Sequence, residues 1–140
     1  MKRLYTSFAA IILSSVLFSQ GIWTQKSNFG PGSRSWATGF CIGTKGYIGL
    51  GVYPLSTRWN DFWEWDQSTN VWTQKANFPG SARDNASGFS IGTKGYLGLG
   101  GIYSGGPYYS DFYEYDQTTN SWSQKANFPG NARLLAASFA

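Results

Sequence analysis

The sequence predicts an all-β fold assembled from a repeated four-stranded antiparallel unit, and three observations carry that prediction. Trp23-Thr24-Gln25-Lys26 returns about 50 residues later as Trp72-Thr73-Gln74-Lys75, and again as Trp122-Ser123-Gln124-Lys125. The register extends to Asn28-Phe29, Asn77-Phe78 and Asn127-Phe128, to Arg34, Arg83 and Arg133, and to Asp61-Phe62-x-Glu64-x-Asp66 with Asp111-Phe112-x-Glu114-x-Asp116. A period of this size marks units that bury their faces by stacking on neighbours. In addition, no window after residue 20 sustains a 3.6-residue period, and short aromatic runs alternate with Gly- and Asn-rich turns.

Residues 1–20 read as a secretory signal peptide. Lys2-Arg3 precede an apolar run from about Phe8 to Phe18, followed by Ser19-Gln20-Gly21. The run is shorter than the roughly 20 residues a membrane helix needs, so no membrane span is expected after cleavage. The product is expected to be secreted or displayed at the cell surface. Repeats are expected at about 23–71 and 72–121, with a partial one at 122–140.

Within one period, Asn85–Ile91 reads as a short strand of small residues, and Gly92-Thr93-Lys94-Gly95 as a turn using positive φ. Tyr96–Gly101 reads as a second strand whose alternate glycines imply close approach of a neighbouring sheet. Phe112–Asp116 is an aromatic third strand. Gln117–Asn120 is a tight turn with Asp116 bonding the backbone ahead of it. Ser121–Ala126 is the fourth strand, ended by Pro129-Gly130.

These residues resemble the kelch repeat, the four-stranded blade of a β-propeller. The pattern is a Gly-Gly doublet, then a Tyr, then a Trp six intervening residues later. Gly100-Gly101, Tyr115-Asp116 and Trp122 fit it, with the Thr119-Asn120 turn and Pro129-x-x-x-Arg133. The first copy departs twice, with Gly51-Val52 for the doublet and Trp65 for the tyrosine before Trp72. The resemblance implies a propeller of which about two blades and the start of a third are present. Propellers need about 4–8 blades. The chain is therefore expected to be a fragment or, alternatively, a short protein that completes a ring by self-association through exposed blade faces. Trp72, Trp122, Tyr115, Gly100, Gly101 and Arg83 are the expected structural positions of the repeat.

Composition narrows the chemistry. Histidine is absent, which removes the usual general base and metal ligand. The formal charge of +4 drops to +2 without Lys2 and Arg3, and the remaining basic residues fall mostly at repeated positions, so nucleic acid is not an expected partner. Cys41 is the sole cysteine, aligns with Ser90 and is expected to be a buried small residue without a disulfide. Asp111, Glu114 and Asp116 are divided between the two faces of one strand, so neither a metal nor another cofactor is expected. Asp116 should serve its turn, and Glu114 should pair with Arg83 or Lys94.

The copies disagree in one place. Val52-Tyr53-Pro54-Leu55-Ser56-Thr57-Arg58-Trp59-Asn60 is unlike Ile102-Tyr103-Ser104-Gly105-Gly106-Pro107-Tyr108-Tyr109-Ser110. In an antiparallel four-stranded unit this loop shares an edge with the links between units. Variable loops on a rigid scaffold are where binding resides. Tyr53, Arg58, Trp59, Tyr103, Tyr108 and Tyr109 are thus the candidate ligand-binding residues, for a protein or a carbohydrate partner. The expected function is a non-catalytic binding module. Two alternatives stay open: a propeller-type hydrolase of the sialidase kind, using the repeated arginines to clamp a carboxylate, and a surface-structural or adhesive repeat protein.

Overall fold

The computed structural model describes residues 21–54, 56–103 and 105–140; the signal-peptide assignment at 1–20 lies outside them. Eight strands form two four-stranded antiparallel sheets, and no helix occurs among the described residues. Sheet 1 runs in order through β1 (Thr38–Ile42), β2 (Lys45–Gly49), β3 (Phe62–Asp66) and β4 (Val71–Gln74). Sheet 2 repeats it with β5 (Ser87–Ile91), β6 (Lys94–Gly98), β7 (Phe112–Asp116) and β8 (Ser121–Lys125).

Turn chemistry sets the registers. Gly43 and Gly92, both at φ 58°, close the first hairpin of each sheet, pairing Ile42 with Lys45 and Ile91 with Lys94. The second tight turn uses Asn70 (φ 57°) and Asn120 (φ 52°), while Asp66 and Asp116 accept the backbone N–H of Ser68 and Thr118. With every neighbouring pair antiparallel, the β2–β3 and β6–β7 loops share an edge with the link between sheets. That link bonds back to the first loop, Phe78 N to Asn60 O and Gly51 N to Arg83 O.

The core lies between the sheets. Phe40, Tyr47 and Phe62 stack on sheet 1 at centroid spacings of 5.5 Å and receive Tyr115 and Trp122 of sheet 2, each 4.9 Å from Phe62. A second cluster joins Leu50, Phe78 and Leu97, with Trp122 packed against it. The repeat position Trp36, Asn85, Leu135 forms a backbone ladder across units: Asn85 N donates to Trp36 O and Leu135 N to Asn85 O, all three at φ 55°.

Several expectations are corrected. The second strand stops at Gly98 because Leu99 turns left-handed at φ 60°, and the first begins only at Ser87 because Asn85 is left-handed too. The neighbouring sheet approaches at Gly88 and Gly95 rather than at the glycines ending β6. A Cβ at Gly95 would fall inside the Phe40 ring, whereas one at Gly98 would meet Asp111 and Phe112 of its own sheet. Cys41 faces outward and is exposed, since it alternates with the buried Phe40 and Ile42. Glu114 bonds Tyr96 and Lys125, while Arg83 takes Asp111 and Lys94 takes Asp116.

Candidate functional site

The loop edge is built on two repeated arginines. Arg34 donates to both carboxylate oxygens of Asp61, and Arg83 does the same to Asp111. Arg83 is fully buried, adds a bond to the Leu99 carbonyl, and lies 3.9 Å from the Tyr109 ring centroid. Arg34 lies 5.6 Å from the Trp59 ring. Each fork thus fixes the start of a sheet, the end of its second strand and the exit of its loop in one bidentate pair. Burial pushes the Asp61 carboxyl up, but the bonds from Arg34 and Trp63 outweigh it and hold it below the usual carboxylate range.

The six candidate residues consequently divide. Trp59 and Tyr109 occupy matching positions, each donating its backbone N–H to the first loop glycine, Gly51 or Gly100, and each covers an arginine. Both are half-buried. Arg58 is also engaged: its Nε donates at 2.9 Å to Oδ2 of Asp84, whose side chain is wholly buried. These three are therefore props of the loop edge, not free contact groups. Tyr53, Tyr103 and Tyr108 remain about half exposed, at 52%, 55% and 47%. Beside Tyr53 a shallow pocket of about 230 Å³ opens against Ser35, Val52 and Pro54.

Two residues of this edge escaped the sequence reading. Trp36 is 42% exposed and lies 5.3 Å from Tyr103, tilted by 40°, so it bridges the loops of the two units. Asp84 anchors Arg58 and accepts a bond from Asn85 Nδ2 at 2.7 Å. Both sit in the stretch after the repeated arginine, where the copies read Ser35-Trp36, Asp84-Asn85 and Leu134-Leu135. That disagreement between copies was the available signal.

The repeat positions behave as a frame. Trp72 and Trp122 donate their indole N–H to Ser27 O and Ala76 O. Tyr115 donates to Asn120 at 2.9 Å, and Trp65, its replacement, donates to Asn70 at 3.2 Å. Gly100 (φ 77°) lies where a Cβ would strike Ala86 and Asp84; Gly101 is crowded by Pro107 and Tyr108, whereas Val52, its counterpart, is buried in the core. Asp111, Glu114 and Asp116 are each held by a different cation, Arg83, Lys125 and Lys94, and no cluster able to hold a metal occurs among the described residues.

No family model and no curated protein matches this sequence. Solved structures do, among them that of YjhT, with a TM-score of 0.57 and 30% identity over 68% of this chain. The matched part spans 27% of the YjhT chain.

Proposed function

We propose that this chain is an exported, non-catalytic binding module made of kelch-type β-propeller blades, and that it binds a protein or glycan partner through aromatic rings on the loop edge. The observation that carries this reading is the pairing of Trp36 with Tyr103 across two units, with Tyr53 and Tyr108 also half-exposed on the loops of that edge. Aromatic rings on a rigid base lose little entropy on contact and serve as hot spots. The stacked sheets and the likeness to a longer solved chain support the propeller.

Commitment of Arg34 and Arg83 to Asp61 and Asp111 favours this reading over a hydrolase that clamps a carboxylate, since neither guanidinium fork is free. The test is a screen of the purified chain on arrays of glycans and of extracellular proteins. One class of ligand should bind selectively, and Trp36→Ala with Tyr103→Ala should weaken it about 10-fold or more. Absence of any selective ligand, or binding untouched by these changes, would sink the proposal.

A further inference from the structure

The interface between the two sheets is a template for a second surface of the same kind, which residues 133–138 cover only in part. On sheet 1 the stacked Phe40, Tyr47 and Phe62 are 9%, 3% and 1% exposed, because sheet 2 covers them. Trp122 enters between Phe62 and Phe78, at 4.9 and 5.5 Å, and donates to Ala76 O at 2.9 Å. Asn120 completes the joint by accepting the Ala76 N–H at 2.9 Å, and Gln117 meets the Tyr47 hydroxyl at 3.1 Å. Phe40 fills the space that Gly95 leaves by lacking a Cβ.

Sheet 2 carries the same receiving surface on its other side. Phe89, Tyr96 and Phe112 stack at 5.3 and 5.8 Å, and a hollow of about 430 Å³ opens between Phe112, Phe128 and Ala126. These are the counterparts of Phe62, Phe78 and Ala76, so the hollow has the walls and the carbonyl that an indole needs. Sheet 1, on its far side, carries the inserting set: Asn70, Trp72, Gln67, and Trp65 in place of Tyr115. Gly46 there matches Gly95, yet its missing Cβ faces open space, with only the Trp65 ring at 3.8 Å.

We propose that the two surfaces serve one another, so that Trp72 of a second copy of this chain enters the hollow beside Phe112 and Phe89 enters the space over Gly46 of that copy. The contact is head-to-tail, and it propagates into rings or filaments. Within one chain Trp72 is held by Ser27 O and lies 4.9 Å from Phe29. Trp23–Phe29 repeats Trp122–Phe128 almost residue for residue. Docking exchanges the first segment for the second: Ala126 takes over from Ser27 the two backbone bonds to Trp72 and Asn70, and the Ser27 hydroxyl bond to Asn70 is given up. Arg133–Ser138 likewise yields to Arg34–Gly39 of the second copy. Backbone bonds are remade with like residues, the hydroxyl bonds of Ser27 and Ser138 are lost, and burial of the second aromatic stack is the net gain.

Sedimentation equilibrium of the full chain, alone and as Gly46→Val or Phe89→Asp, tests this. The wild type should associate with rising concentration, and each variant should associate about 100-fold more weakly, with the far-UV spectrum unchanged. Gly46 has extended backbone and room for a Cβ, so its variant isolates docking from folding. Mixing the two variants should restore a dimer, because each keeps the surface that the other has lost. A monomer at every concentration, association insensitive to Gly46→Val, or no dimer from folded variants on mixing would overturn the proposal.

Discussion

Arg58 of the first loop reaches across to Asp84 of the second unit, Nε to Oδ2 at 2.9 Å, and so covers a carboxylate with no exposed side-chain surface. The pair locks the loop of one unit to the entry of the next. Breaking such a pair from one side costs about 3–5 kcal/mol, because the remaining charge stays buried. Arg58→Met should lower stability by about that much in urea titration. Adding Asp84→Ser, the residue found at the matching position Ser35, should recover more than half of the loss. If Arg58→Met instead left stability unchanged and removed only ligand binding, Arg58 would be a contact residue after all.

Acid and alkali should act on different groups of the sheet pair, the carboxyls and the buried tyrosines. Burial pushes the Glu64 carboxyl up, but bonds from Lys45 and Tyr47 more than offset this and bring it below its usual value. Bonds to the Ser68 hydroxyl and backbone hold Asp66 at about 2. Carboxyls lowered in the folded state give stability that is present above their unfolded values, about 4, and lost as pH falls below them. Tyr47 is raised by burial and by Glu64, and Tyr115 by burial and nearby carboxylates. Their contribution is complete below the unfolded value near 10 and is lost as pH rises beyond it. Stability should therefore plateau between about pH 5 and 9. In a spectrophotometric titration Tyr47 and Tyr115 should ionise only with unfolding.

What the sequence made legible was what repeats. Turn residues, strand pairing and the aromatic core recur at fixed positions, and each copy corroborates the other; Asn70 with Asn120 is one example. Lys125 rather than Arg83 or Lys94 holds Glu114; strand order alone does not say which cation reaches it. Cys41 looked buried because its repeat partner Ser90 is small, but alternation with Phe40 and Ile42 places it outward. At the loop edge, residue type alone did not separate Tyr103 from Tyr109. Only the position of Arg83 under the Tyr109 ring decides that one is open and the other a prop.

The exchange of Tyr115 for Trp65 between copies is explained by a shared acceptor. Both donate to the asparagine five residues on, Asn120 or Asn70. Trp65→Tyr should therefore be mild, under about 1.5 kcal/mol. Trp65→Leu, which removes the donor as well as the ring, should cost about 2–4 kcal/mol. Equal losses for the two variants in thermal unfolding would show that the bond to Asn70 contributes nothing.

Matched residues on the two aromatic stacks should differ in worth according to what covers them. Phe62 is 1% exposed, lying 4.9 Å from both Tyr115 and Trp122, whereas its counterpart Phe112 is half-buried beside the open hollow. Truncating a covered phenylalanine forfeits its transfer energy and leaves a cavity, about 3–5 kcal/mol. At Phe112 the surroundings are already open on one side, so only part of the transfer energy is at stake, about 1–2 kcal/mol. Urea titration of Phe62→Ala and Phe112→Ala at low protein concentration should give these unequal losses. Raising the concentration should increase the cost of Phe112→Ala toward that of Phe62→Ala if a second copy covers the stack. A Phe112→Ala cost that stays small at every concentration would mean that nothing docks there.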